Sequence, residues 1–147
     1  MDRDDVISTL NDLIETSRDG EEGFRQCADT VKNPNLKPFF EQKAARCREA
    51  VTQLQQIVRE MGGDPESGSS ASGTMHRFWV SIRISISGMS DHAILDECER
   101  GEDVAKRSYE KALAQDLPGD VRRVVERQFT EVKANHDRVR EMRNATA

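Results

Sequence analysis

The chain has 147 residues, which suits a single domain, residues 1–147, with a real hydrophobic core. Charged residues make up 33% and hydrophobic residues 35%, but the apolar residues recur at helical intervals, so we expect a folded helical protein with a heavily charged surface. The net charge is −5 and basic residues alternate with acidic ones, a pattern that argues against a nucleic-acid partner. No apolar run approaches the roughly 20 residues of a membrane span, and the start, MDRDDVIST, is acidic where a secretory signal is basic. We therefore expect a cytoplasmic protein without a membrane partner.

The first half of the sequence predicts two helices. Apolar residues such as Val6, Leu10, Leu13 and Phe24 recur at spacings of three and four, which predicts a helix over residues 4–32. The segment NPNLKP interrupts this pattern, because prolines cannot continue a helix. A second helix is predicted over residues 36–61, and the glycines and proline of MGGDP end it.

The connection between the two halves is ambiguous in sequence. It opens with ESGSSASG, which is typical of a flexible linker. In the segment HRFWVSIRISISGMSD, isoleucines alternate with polar residues, as in a strand, but Met75, Trp79, Ile82 and Ile86 also fit one face of a helix. A lone strand would leave its backbone unpaired unless a second subunit supplied a partner. We therefore favour a short crossover helix over residues 74–87, anchored by Trp79.

The second half predicts another helical pair, over residues 90–115 and 118–144. Ser90 and Asp91 suit the start of the first of these helices, and DLPGD separates the two. The predicted fold is all-α. It is a ferritin-like four-helix bundle, made of two antiparallel helical hairpins that a long crossover joins.

A ferritin-like bundle raises the question of a metal site. Two-metal sites in such bundles use Glu-x-x-His on two helices, because residues three apart share a helix face. The second helix has no histidine, and in the fourth His136 lies five residues after Glu131, so a standard di-iron site is not expected. A reduced site for iron or another divalent metal is conceivable, with Glu22, Glu99, Glu102 and His136 as ligands. Gly101 would let a backbone or an ion approach.

The competing interpretation of the same acids is structural. In it, Glu99 and His136 form a polar pair between helices, and Glu102 forms a surface pair with Lys106, four residues later. The remaining acids of ECERGEDVAK, among them Asp103, are then solvated. On this interpretation no cofactor is expected.

The three cysteines, Cys27, Cys47 and Cys98, fall among apolar neighbours at helical spacing. We expect buried, reduced thiols, since no CxxC motif is present. Redox sensing through Cys47 or Cys98 is the alternative, and it predicts fast labelling of the native protein by a thiol reagent.

Four segments carry a resemblance to a known family: LNDLIETSRDGEEGF (10–24), GTMHRFW (73–79), ERGEDVAKRSYEKAL (99–113) and NHDRVREMR (135–143). Over nearly its full length, the chain resembles a bacterial ferritin-like four-helix-bundle family of unknown function. The resemblance implies the fold and a bacterial cytosolic setting, and it implies no catalytic residue. Members of the wider ferritin-like group store iron or reduce peroxides at di-iron sites, and this sequence departs from their ligand pattern at both Glu-x-x-His positions.

These observations favour a non-enzymatic structural or interaction protein, connected with stress. The apolar segment FWVSIRISI could cover a neighbouring molecule, so we expect a homo-oligomer. The alternative is a metal-binding protein that handles iron or oxygen species through the reduced site.

Overall fold

The computed structural model describes residues 1–65 and 74–146, and of Thr74 only the backbone. The predicted flexible linker therefore lies outside the described residues. In the described ranges the chain is all-helical and contains no strand. The helices are α1 (Arg3–Thr30), α2 (Leu36–Glu60), α3 (Thr74–Ser85), α4 (Asp91–Leu113) and α5 (Gly119–Ala145), and a 3-10 turn, Ile86–Gly88, follows α3. Within these ranges, no helix is both long and apolar enough to cross a membrane.

The helix ends follow from local chemistry. Asp2 caps α1 by accepting a hydrogen bond from the Asp5 N–H at 2.9 Å, and Ser90 caps α4 by accepting one from the Ala93 N–H at 3.1 Å. After α2, Gly62 adopts a φ of +80°, the left-handed conformation that favours glycine. The carboxylate of Asp91 accepts hydrogen bonds from two backbone N–H groups just after α1, those of residues 32 and 33, at 2.9 Å each. This contact joins the end of α1 to the start of α4.

The crossover, whose sequence fits both a strand and a helix, is a helix, as predicted. Its inner face consists of Met75, Trp79 and Ile82, all buried, whereas Ile84 on the outer face is 82% exposed. The alternation of isoleucines with polar residues therefore does not reflect a strand. The α-helix ends at Ser85, two residues earlier than predicted, and the chain tightens into the 3-10 turn.

The long helices pack as two hairpins, α1 with α2 and α4 with α5. The hairpins meet through α1 against α4 and, more sparsely, through α2 against α5, and α3 lies against both α1 and α4. This packing is compatible with the predicted four-helix bundle. The buried apolar residues form two separate clusters: one includes Phe24, Phe40 and Trp79, and the other includes Leu10, Leu54 and Val125. Between these clusters, at middle height along the helices, the interior is polar.

Candidate functional site

A polar layer separates the two apolar clusters and surrounds a cavity of about 60 Å³. Cofactor and ligand sites of helix bundles are commonly built at such a place, from side chains on facing helices. The layer takes residues from all four long helices, and Trp79 of α3 also reaches it. The cavity is lined by Thr16, Ser17, Gly20, Phe24, Lys43, Arg46, Cys47, Ala50, Met75, Trp79, Gly101, Glu102, Ala105, Tyr109, Gln128, Glu131, Val132 and Asn135.

A buried ion pair between Lys43 of α2 and Glu102 of α4 forms the centre of the layer. Their side chains are only 4% and 5% exposed, and the ammonium donates directly to Glu102 Oε1. The ammonium also lies over the Phe24 ring, 4.7 Å from its centroid. The expected surface pair of Glu102 with Lys106 is therefore wrong. Glu102 points inward, and its partner lies 59 residues away in the sequence.

A second set of ion pairs lies along the seam between α4 and α5. The buried carboxylate of Glu99 accepts hydrogen bonds from Arg140, at 3.2 Å, and from Arg143. The buried ring of His136 lies with Nε2 2.7 Å from Asp103 Oδ1. The expected pair of Glu99 with His136 is thus wrong, because Asp103, one turn further along the same face of α4, is the carboxylate that meets the histidine.

Glu22, the fourth residue of the predicted metal site, lies on the surface. Its side chain is 63% exposed and accepts a hydrogen bond from Arg83 of α3 at 2.8 Å. Glu99, Glu102 and His136 are buried, but each of the four residues has a different polar partner within the protein. In the part of the chain that the structure describes, no three His, Cys, Asp or Glu side chains are grouped so as to hold a metal ion.

Trp79 packs into a space that two helical glycines, Gly23 and Gly101, leave open, and this space is called the seat of Trp79. A Cβ added at Gly23 of α1 would lie 2.2 Å from Trp79 Cδ2, and one added at Gly101 of α4 would lie 3.1 Å from Trp79 Cζ2. The indole also packs edge-on against Phe24 and Phe78, with ring centroids 5.3 and 5.1 Å apart. Gly101 therefore makes room for an aromatic ring, and not for the backbone or metal ion that the sequence suggested. Glycines inside otherwise helical patterns were the signal for this seat, but they do not name the group that fills it.

Comparison with known proteins identifies the family of the chain. Residues 5–115 match a family model described as a domain of unknown function, DUF2383. The chain belongs to this family. The comparison with curated proteins gave no match.

The residues that match the DUF2383 model extend from α1 through α4, so they include the ion pair of Lys43 with Glu102 and the whole seat of Trp79. They exclude α5, which supplies Gln128 to the cavity and His136 to the seam. The centre of the polar layer thus lies within the part of the chain that matches the DUF2383 model.

The cysteines of this DUF2383 domain are free thiols, and Cys27 and Cys98 are buried, as predicted. Their Sγ atoms lie 3.5 Å apart, so the two thiols share a hydrogen bond between α1 and α4. Cys47 lines the cavity and is half-buried. Burial and the nearby Glu102 carboxylate raise the pKa of Cys47 to about 12. A thiol with this pKa stays protonated at neutral pH and is a poor nucleophile.

A hydrogen-bond chain crosses the layer from α4 to α2. The Tyr109 hydroxyl donates to Gln128 Oε1 at 2.8 Å, and Gln128 Nε2 donates to Gln53 Oε1 at 2.9 Å. Burial raises the pKa of Tyr109 well above its ordinary value. The phenol therefore acts as a neutral hydrogen-bond donor that fixes α5 against α4.

Proposed function

We propose that this protein is a non-enzymatic, ferritin-like four-helix bundle that serves as a structural or interaction protein. The observation that supports the proposal is the ion pair of Lys43 with Glu102 at the middle of the polar layer. The bundle carries its own cation, an ammonium, at the height where related architectures place metal ligands. Two hairpins and a long crossover agree with the ferritin-like topology.

The chemistry of the paired side chains explains why the proposal excludes a reduced metal site. A metal ion at Glu102 would have to displace the Lys43 ammonium, and so leave a second cation buried without its partner. An ion at Glu99 would compete with two arginines for the same carboxylate oxygens. The four predicted ligands therefore do not fit a single ion while these pairs remain.

The first experiment measures bound metal by elemental analysis and then oxygen consumption after Fe(II) is added in air. The protein is purified without chelator or affinity tag, and Glu102→Gln is compared with Glu110→Gln, an acid on the exposed side of α4. We expect no stoichiometric metal and no iron oxidation in any of the three proteins. One or two ions per chain, lost in Glu102→Gln and retained in Glu110→Gln, would overturn the proposal and establish the metal-binding alternative.

We also propose that the protein self-associates through the outer face of α3. Ile84 is 82% exposed and Val80 is 36% exposed, and they lie one turn apart on this helix. A second copy that covers them would remove both side chains from water. Sedimentation velocity over a wide concentration range tests this. Ile84→Glu should yield a monomer, whereas Gln56→Glu, the same charge change on an exposed part of α2, should not. A wild-type protein that is monomeric at every concentration would refute self-association.

A further inference from the structure

A basic pocket lies between α2 and α5, beside the central cavity, with which it shares Lys43, Arg46 and Asn135. We propose that this pocket is a binding site for a phosphate group, carried either by inorganic phosphate or by a small phosphate monoester. The phosphate would bind the guanidinium groups of Arg46 and Arg138, one from each helix. This inference stands on the lining and the charge of the pocket, and it depends neither on the proposed structural role nor on the oligomeric state.

The pocket is built from one face of α2 and one face of α5. Residues three or four apart share a helix face, and this spacing relates the lining residues of each helix. The volume is about 90 Å³, roughly three shares of liquid water, which suits a phosphate group and excludes a large ligand. Gln42, Arg46 and Arg138 are exposed, so a ligand can reach them from solvent. The lining consists of Phe39, Gln42, Lys43, Arg46, Asn135 and Arg138.

The lining of this pocket is cationic, although the chain as a whole carries a net charge of −5. It contains three basic side chains and, in the part of the chain that the structure describes, no carboxylate. Glu102 neutralises Lys43 from the interior, so two guanidinium groups remain. Two positive charges match a phosphate dianion better than a monocarboxylate, and guanidinium groups bind phosphate oxygens through paired N–H donors. The charge of the pocket therefore favours a phosphate group.

Arg138 lacks an acidic partner among the described residues. Its guanidinium lies over the Phe39 ring instead, with Cζ 5.7 Å from the ring centroid. This cation–π contact restrains the side chain at the edge of the pocket without supplying an anion. The charge of Arg138 is therefore available to a ligand.

Arg46 has only a weak competitor for the same role. Its Nη1 lies 3.6 Å from Glu49 Oε2, and the two side chains are 49% and 61% exposed. Exposed ion pairs of this kind contribute little to stability, so a phosphate group can replace the carboxylate. The side-chain amides of Gln42 and Asn135 supply further N–H groups that can donate to phosphate oxygens.

The test titrates the full chain with three anions and follows the binding in ¹H–¹⁵N spectra. Inorganic phosphate, glycerol phosphate and acetate each replace chloride at constant ionic strength, at about pH 7.5, where a phosphate group is mostly doubly charged. We expect a phosphate compound to shift the backbone signals of residues 42–46 and 135–138 and to saturate with a Kd of roughly 1 mM. The tighter of the two compounds identifies the free anion or the monoester as the ligand. Acetate should bind about tenfold more weakly, or less.

Matched variants separate binding in the pocket from a general effect of charge. Arg46→Gln and Arg138→Gln each remove one guanidinium group from the pocket, and Arg59→Gln makes the same charge change at an exposed position of α2 outside the lining. Circular dichroism checks that all three remain folded. A loss of phosphate affinity of about tenfold or more in both pocket variants, with Arg59→Gln unchanged, supports the proposal. A shift that grows linearly with phosphate, an equal response in all three variants, or acetate binding as tight as phosphate binding would overturn it.

Discussion

The seat of Trp79 leads to a sharp prediction about one methyl group. Gly23 lies within α1, where alanine in place of glycine would ordinarily stabilise the helix by about 1 kcal/mol. The added Cβ, however, would lie 2.2 Å from Trp79 Cδ2 and 2.4 Å from Cε2. Carbon atoms pack best at about 3.5–4.0 Å, so the rigid ring must move by more than an ångström. We expect Gly23→Ala to destabilise the protein, against the propensity of its helix.

The size of the effect can be bracketed. Overpacking a core costs about 1–3 kcal/mol and occasionally more. Complete expulsion of Trp79 would return about 150–250 Å² of aromatic surface to water, which at about 25 cal/mol per Å² amounts to roughly 4–6 kcal/mol and sets a ceiling. After the helix gain of about 1 kcal/mol is subtracted, these limits span about 0–5 kcal/mol, and we expect a net loss near the middle, about 2–3 kcal/mol in the free energy of unfolding.

Urea denaturation followed by circular dichroism measures this loss, and the emission maximum of Trp79 should shift to the red in the native variant. Gly119→Ala is the control, because a Cβ there meets nothing closer than Arg123 Nη1 at 3.9 Å. Combining Gly23→Ala with Trp79→Leu should cost less than the sum of the two single changes, by about 1 kcal/mol or more. A stable Gly23→Ala protein with unshifted emission would refute the proposed seat.

Three further predictions concern the polar groups. Lys43→Met leaves the Glu102 carboxylate buried without its cation, so chemical denaturation should show a loss of about 3–5 kcal/mol in the free energy of unfolding. Adding Glu102→Gln to this variant should recover much of the loss. A loss below about 1 kcal/mol for Lys43→Met would contradict the buried pair. Burial raises the pKa of Cys47 to about 12 from 9.0, so unfolding releases a proton above pH 9, and the stability due to this thiol is full below pH 9 and is lost between pH 9 and 12. In thermal melts at alkaline pH, the stability of Cys47→Ala should therefore decline less steeply with pH than that of the wild type. Equal slopes would count against the raised pKa. His136→Ala removes a ring that is 3% exposed, whereas Asp103→Asn changes a side chain that is 43% exposed. Thermal melts should therefore show a loss of stability of about 2–3 kcal/mol for the first variant and of at most about 1 kcal/mol for the second. Similar losses would contradict the burial of the ring.

The helices could be predicted from the sequence because the residues that end them, prolines and glycines, are recognisable from their type alone. Proline and glycine segments near positions 33, 62 and 118 interrupt the apolar periodicity, and all predicted ends of the four long helices lie within two residues of the observed ones. The crossover was harder, since its alternating isoleucines satisfy both periods. Packing of Trp79, Ile82 and Ile86 on one face settles it as a helix, and Ile84 remains on the surface.

The candidate site was only half accessible from sequence. Sequence reasoning selected Glu99, Glu102 and His136, which are buried in the structure, but periodicity carries no information about the partner on a facing helix. Lys43 sits in FEQKAARCREA, among charged residues that resemble a solvated face, and only the packing of α2 against α4 buries it. The cavity itself depends on how four helices fail to fill a common space, which no local pattern encodes.

The acids of α4 become separate ion pairs because they lie on two faces of the helix. At about 100° per residue, Glu99 and Asp103 are about 40° apart, whereas Glu102 lies about 60° away from Glu99. The first two therefore face α5, where two arginines and His136 meet them, and Glu102 faces Lys43 of α2. A shared ion would have to bind carboxylates from both faces, and it would leave Lys43, the two arginines and His136 without their partners. A sequence motif rich in acids predicts that cations lie nearby, and the register between helices decides which cations they are.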